Sequence, residues 1–329
     1  MEKKQVKYKI AWLDVPVPEV ERINQSLLPE GFFLERLMSA DDRDEQVRLV
    51  SDADFVMLTA FKLKCDLIQA MKKCKLIQKW GVGVDSIDVE AAKACGIPVA
   101  ITAGANAAPV AELVVAHILA LYRRIFQADR STRSGQWINA ELRTTCFMIR
   151  GKKAGIIGIG NVGKHLAGIL RAFGADVVYT DVSRLPADKE AELGIRYEDM
   201  QSICKTCDII SLHIPMTPQT RHIIGEAEIA LMKQNTILIN AARGGLIDET
   251  ALLRALEEKR IAGAGLDVHE CGRPTADYPL AKFDNVVLTP HNGGGTLDNV
   301  ANVTKHAYGN MLIILNGQSL KPGDIIVAP

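Results

Sequence analysis

No stretch of this chain approaches the run of about 18 uninterrupted apolar residues that a membrane-spanning helix needs, so no integral membrane protein is expected. Net charge is also missing. Lys+Arg and Asp+Glu both number 39, which leaves no overall field to gather nucleic acid or an anionic membrane surface. The opening residues, Met1-Glu2-Lys3-Lys4-Gln5-Val6, are polar and lack the apolar core of a signal peptide. Cysteine number is odd, seven in all, and the residues are scattered through helix-like and strand-like stretches. That pattern fits reduced thiols and a cytoplasmic location. Cys204-Lys205-Thr206-Cys207 has redox-motif spacing, but it lies where a helix runs into a strand, and no second pair completes a zinc site. Incidental cysteines and no metal are the expectation. Internal repeats and low-complexity segments are absent as well.

What is present suits a two-domain globular enzyme. A chain of 329 residues fits two domains of roughly 100–200 residues each, and 48% hydrophobic residues provide two cores. Strand-like runs at 10–13, 53–58, 76–80 and 97–101 alternate with helix-like runs at 19–28, 65–71 and 89–95. A long helix is expected from 109 to 126, with a domain boundary near 104 and a polar connection over 134–152. Alternation then resumes, with strands ending near Asp181, His213, Asn240, Val268 and Thr289, and a final helix over 298–315. Such alternation predicts an α/β fold of doubly wound parallel sheets with helices on both faces.

The richest stretch is Ala154-Gly155-Ile156-Ile157-Gly158-Ile159-Gly160-Asn161-Val162-Gly163, an apolar strand, a G-x-G-x-x-G turn and the start of a helix. Gly158 allows the tight turn, Gly160 lets backbone amides approach a pyrophosphate, and Gly163 lets the helix pack closely on the strand. The helix N-terminus offers N–H groups and partial positive charge to that phosphate. A second strand, 176–180, ends on Asp181, placed to accept both hydrogen bonds of an adenosine ribose diol and to repel a 2′-phosphate. Together these predict a Rossmann dinucleotide site that prefers NAD. Arg184, three residues further on, has the reach to meet a 2′-phosphate.

Arg243, Asp267 and His291 stand at the C-terminal ends of three strands of the same half, where a doubly wound domain presents its ligand. An arginine grips a ketone oxygen or carboxylate with a planar fork of donors, and a histidine exchanges a hydroxyl proton near neutral pH. In the other half, Gly81-Val82-Gly83-Val84-Asp85 ends a strand with uncovered amides, which suits either a small carboxylate or a plain tight turn. Trp80 and Phe61 are candidates for lining a substrate pocket or for ordinary core.

These residues resemble the D-isomer-specific 2-hydroxyacid dehydrogenases, a family that includes phosphoglycerate, glycerate and formate dehydrogenases. The resemblance covers nearly the whole chain. It is densest in Gly81 to Asp88, Gly104-Ala105-Asn106 through Glu112, Gly151 to Gly163, His213 to Pro218, Asn240 to Gly244, Leu266-Asp267-Val268 and Thr289-Pro290-His291. It implies hydride transfer between NAD(H) and C2 of a small 2-keto or D-2-hydroxy acid. Arg243 would orient and polarise the substrate carbonyl, and His291 would be the acid/base. Val82 and Gly83 would bind the substrate carboxylate through backbone amides, with Arg243 and His291 also contacting substrate. Gly158, Gly160, Asn161, Val162, Gly163, Asp181, His213, Pro215, Thr220, Ala241, Ala242, Arg243, Asp267, His291 and Gly294 would contact the dinucleotide. It further implies two similar domains with a cleft between, a substrate-binding domain of residues 1–104 completed by 293–329 and an NAD-binding Rossmann domain of 105–292. The assembly implied is a homodimer built through the cofactor domains.

One departure stands out. The family carries a glutamate five residues after the Asp267-type aspartate that hydrogen-bonds and orients the catalytic histidine, and Gly272 occupies that place here. The 24-residue step from Asp267 to His291 is the family's usual length, so a deletion does not restore the alignment. Glu270 is the expected substitute; otherwise His291 works without a carboxylate partner. The rival function is an NAD(H)-sensing binding protein or co-repressor of the same fold with little turnover.

Overall fold

The computed structural model describes residues 8–328, so the polar N-terminal Met1 to Val6 lie outside the described residues. The chain divides into two compact units, Met1–Asn106 with Gly295–Pro329, and Ala107–Gly294.

The first unit opens with β1 (Tyr8–Trp12), α1 (Pro18–Ser26), β2 (Phe32–Arg36), α2 (Arg43–Ser51) and β3 (Phe55–Leu58). It continues with α3 (Cys65–Gln69), β4 (Leu76–Lys79), α4 (Val89–Ala94) and β5 (Val99–Ala100). The second unit begins with α5 (Ala107–Tyr122), α6 (Ile125–Arg133), α7 (Asn139–Thr145), β6 (Lys153–Ile157), α8 (Asn161–Ala172) and β7 (Asp176–Thr180). Then come α9 (Ala187–Leu193), β8 (Arg196–Tyr197), α10 (Met200–Thr206), β9 (Ile209–Leu212), α11 (Glu226–Leu231) and β10 (Ile237–Asn240). α12 (Glu249–Glu257), β11 (Gly263–Leu266) and β12 (Val286–Leu288) complete it, and α13 (Leu297–Leu315) and β13 (Ile325–Val327) belong to the first unit.

The first unit's sheet has the order β13-β5-β4-β3-β1-β2, parallel except for β13, which pairs antiparallel with β5. The second unit's sheet is wholly parallel, in the order β12-β11-β10-β9-β6-β7-β8. From β6 the chain winds outward to β7 and β8, then crosses back to β9 and proceeds the other way. The order therefore reverses between β6 and β9, and ligands of doubly wound sheets bind at such a reversal. Both faces of this sheet are covered: Ile156 and Ile157, neighbours on β6, enter separate apolar cores, as do Val177 and Val178 on β7. Alternate side chains of a strand point to opposite faces, so two buried faces demand continuous apolar strands. That requirement explains why these strands read so clearly in the sequence.

Capping sets several helix starts. Asp88, Asp199 and Asp248 accept the exposed N–H groups at the beginnings of α4, α10 and α12. The helix expected over 109–126 is broken instead after Tyr122, where Arg124 takes a left-handed φ of 51° and α6 starts. The expected polar connection over 134–152 contains α7, whose described side chains are all at least partly exposed.

Candidate active site

Unit two builds its cofactor turn from glycines placed where a side chain cannot fit. Gly158 ends β6 with φ +98°, and a Cβ there would sit 2.5 Å from the His213 carbonyl oxygen at the end of β9. A Cβ on Gly163 would lie 2.3 Å from the Gly158 carbonyl oxygen, so α8 packs against its own strand only because of that glycine. Gly160 differs: it caps α8 with no side-chain hydrogen bond, and nothing lies within 4 Å of where its Cβ would be. Open space over an uncapped N-terminus of a 12-residue helix fits a dinucleotide pyrophosphate. Asn161 and Val162 form that first turn.

Asp181 follows β7 and accepts the Ile159 N–H at 2.7 Å, which ties its carboxylate to the glycine turn. His213 hydrogen-bonds Ser211 Oγ at 2.8 Å, and burial pushes its pKa down to about 4, so it is neutral near pH 7. Thr220 organises the loop after it: its hydroxyl donates to the Pro215 carbonyl at 2.7 Å and accepts from Thr217 N–H at 2.7 Å.

The next strand ends carry the polar residues. At the end of β10, buried Asn240 accepts from Ala242 N–H at 3.1 Å and donates to the Arg243 carbonyl at 2.8 Å. This shapes the Ala241-Ala242-Arg243 loop, and the Arg243 guanidinium donates from Nη1 to the Ala242 carbonyl at 2.7 Å. Sequence reasoning did not single out Asn240, although a polar residue closing an apolar strand was its signal.

Asp267 follows β11 and is 1% exposed. Its Oδ1 accepts from Thr289 Oγ1 at 2.6 Å and from Asn292 N–H at 3.0 Å, and its Oδ2 accepts from Gly293 N–H at 2.9 Å. These bonds bracket His291, a non-glycine residue held at φ +55°. Asp267 thus clamps the turn that carries His291 and ends at Gly294. Thr289 spends its one proton on Asp267, so its oxygen accepts from His117 Nε2, 3.1 Å away on α5. His117 is then the Nε2–H tautomer, and its buried Nδ1 has no hydrogen-bond partner. Burial lowers the His117 pKa, with the Asp267 charge opposing in part.

Glu270 sits in an ion cluster of its own loop. Its Oε1 accepts from Arg221 Nη2 at 2.6 Å and from His222 Nε2 at 2.8 Å, which ties the carboxylate to the loop beyond Thr220. The local turn explains this. Gly272 N–H closes onto the His269 carbonyl at 3.0 Å with Gly272 at φ +78°, and Glu270 N–H is held by Glu249 at 2.7 Å. Gly272 itself occupies a conformation that a glutamate adopts only under strain.

In unit one, the Gly81 turn has φ +131° at Gly81, and Thr102 bonds both its N–H and its carbonyl at 3.0 and 3.1 Å. Val82 and Gly83 are partly exposed in this turn. Trp80 donates from its indole to Thr304 at 3.2 Å and packs on one core of the unit, and Phe61 packs on the other. Cys204 and Cys207 are buried free thiols whose pKa values burial pushes up to about 11 and about 12, which suits inert core residues rather than a redox pair. Among the described residues, no helix is long and apolar enough to cross a membrane and no three His, Cys, Asp or Glu groups are gathered as for a metal.

Residues 115–293 match the family model described as D-isomer specific 2-hydroxyacid dehydrogenase, NAD binding domain. The chain is 42% identical over 256 residues to D-3-phosphoglycerate dehydrogenase of Methanocaldococcus jannaschii, covering 77% of this chain but 48% of that protein, about half its length. It is 38% identical over 295 residues to glyoxylate reductase of Thermococcus litoralis, covering 88% of this chain and 85% of that one. D-lactate dehydrogenase from Aquifex aeolicus, solved with NAD and lactic acid, superposes with a TM-score of 0.83 at 27% identity, over 97% of this chain and 99% of that chain. A glycine turn at the reversal of a parallel sheet, an acid held against it at the end of the next strand and these matches lead to one family: the chain belongs to the D-isomer specific 2-hydroxyacid dehydrogenases, NAD-dependent oxidoreductases acting on CH–OH groups.

Proposed function

We propose that His291 is the acid/base and Arg243 the carbonyl-polarising cation in hydride transfer between NAD(H) and C2 of a small 2-keto acid, giving the D-2-hydroxy acid. The observation that carries this reading is the succession of β10, β11 and β12. These neighbouring strands deliver Arg243, Asp267 and His291 to one edge of the sheet, with Asp267 clamping the His291 turn. The bound nicotinamide supplies or accepts the hydride. Arg243 holds the carbonyl oxygen with its planar fork and stabilises the charge that develops there. His291 gives that oxygen its proton in reduction and removes it in oxidation.

The supporting parts follow from their places. Asn161 and Val162 N–H groups meet the pyrophosphate, Asp181 the ribose diol, and Pro215, Thr220, Ala241, Ala242, Asp267 and Gly294 the rest of the dinucleotide. Unit one, 1–104 with 293–329, binds substrate, and Val82 and Gly83 offer backbone N–H groups to its carboxylate. Glu270 serves as the acid that joins its loop to Arg221 and His222. Relatives named for glyoxylate and phosphoglycerate point to a short 2-keto acid. Exposed Ile125, Phe126, Trp137, Phe147 and Met148 form apolar surface on the α6–α7 region, which a second copy would cover in a cytoplasmic homodimer. Loss of the dimer on sedimentation of Trp137→Asp tests that.

The functional test is NADH oxidation with glyoxylate, hydroxypyruvate and pyruvate. Turnover that collapses in His291→Gln and Arg243→Ala, with NADH binding retained, supports the roles. Tight NADH binding without turnover on any of the three would favour a sensing protein instead.

A further inference from the structure

Loop 181–186, directly after β7, carries two residues of opposite charge, Asp181 and Arg184. The Arg184 guanidinium is paired with Glu190. Its Nε donates to Glu190 Oε1 at 2.9 Å and its Nη2 to Glu190 Oε2 at 3.0 Å, a two-pronged pair. The guanidinium carbon also lies 5.5 Å from the ring centre of Tyr197. Glu190, on α9, is itself anchored: Tyr179 donates its hydroxyl to Glu190 Oε1 at 2.8 Å. The same hydroxyl accepts the Leu185 N–H at 2.8 Å, and the Tyr179 side chain is fully buried in β7. A buried phenol therefore fixes both an acid and the loop backbone, and the acid fills the arginine's fork.

That fork is the geometry by which arginine grips a phosphate. We propose that Tyr179, Glu190 and Arg184 form a cofactor-selectivity device, in which Glu190 occupies the arginine that would otherwise bind the 2′-phosphate of NADP. NADP then meets the Asp181 carboxylate with no cation to offset it. Two layers of discrimination result: repulsion from Asp181, and an arginine withheld by Glu190. The inference rests on the reading that Asp181 marks the adenosine ribose.

Direct binding tests it without turnover, by fluorescence titration of NADH and NADPH. Glu190→Gln is expected to tighten NADPH by about tenfold, the worth of one charge-assisted contact, and to leave NADH unchanged. Arg184→Ala alone is expected to change neither, because the arginine is already withheld. The pair Glu190→Gln with Arg184→Ala is expected to return NADPH to its original affinity. Tyr179→Phe, which loosens Glu190 without removing its charge, is expected to shift NADPH in the same direction by a smaller factor. A gain for NADPH that survives removal of Arg184, or no gain in either Glu190→Gln or Tyr179→Phe, overturns the proposal. Failure of the parent protein to bind NADH would instead strike at the cofactor site itself, so the two failures are distinguishable.

Discussion

The carboxylate of Asp267 receives the backbone N–H of Gly293 at 2.9 Å, two residues beyond the histidine that stands at φ +55°. With Thr289 and Asn292 on its other oxygen, Asp267 fixes both ends of the His291 turn. Asp267→Asn exchanges one acceptor for a donor that faces an N–H or O–H donor. It is expected to lose about 1–3 kcal/mol of stability, the cost of an unmade buried hydrogen bond. A displaced His291 is expected to lower kcat on the order of a hundredfold. Thermal melting and steady-state kinetics check both. Unchanged kcat in a destabilised variant would leave Asp267 a structural residue only.

Two glycines of one turn are expected to respond in opposite ways. Gly158→Ala must place a methyl 2.5 Å from the His213 carbonyl at positive φ, and it should prevent stable folding of the unit. Gly160→Ala meets open space at φ −71°, so the protein should fold as before while NADH binding weakens where the methyl meets pyrophosphate. Circular dichroism and NADH titration separate these outcomes. Normal NADH affinity in Gly160→Ala would remove the pyrophosphate from that place.

Around the departing loop, Gly272→Glu is expected to cost about 1–3 kcal/mol because it forces a side chain into left-handed backbone. Glu270→Gln is expected to weaken a partly exposed ion cluster by no more than about 1 kcal/mol. Its pH–rate profile should stay where the parent's lies, since the Glu270 carboxylate answers to Arg221 and His222. A shifted profile would reinstate Glu270 as a partner of His291.

Burial of His213 and His117 also sets an acid limit. Both pKa values are depressed, that of His213 to about 4 from 6.5, so the unfolded chain takes up protons first. The His213 contribution is fully present above pH 6.5 and is lost as pH falls toward 4, a loss of up to about 3 kcal/mol, and His117 adds to it in the same direction. Urea unfolding at pH 7 and pH 5 should show a shallower loss in His213→Asn than in the parent. Equal losses in the two would count against His213.

The doubly wound sheet was legible because strands buried on both faces must be apolar throughout, and the reading of 176–180 as a strand coincides with β7. Elements that bury little left no such trace. β2 buries only Phe32, α6 buries just Ser131, and α7 and α9 bury nothing. Arg243 and His291 were visible because polar residues interrupt glycine-rich ends of apolar strands. The clamp by Asp267 was not, since two of its three bonds go to backbone N–H groups whose identity no sequence records. The pairing of Glu270 with Arg221 and His222 was hidden for a related reason: spacing gives a residue's distance along the chain, whereas the His269–Gly272 turn shapes the loop that carries its carboxylate.

Deuterium transfer tests the proposed chemistry most directly. NADH carrying deuterium at C4 is incubated with glyoxylate, hydroxypyruvate or pyruvate, and the product is resolved by chiral chromatography and mass spectrometry. The expected product from pyruvate or hydroxypyruvate is the D-2-hydroxy acid with one deuterium at C2, formed by the parent and not by His291→Gln. An L product, or a product whose C2 hydrogen comes from water, would contradict direct hydride transfer to the face of the keto acid that this site presents.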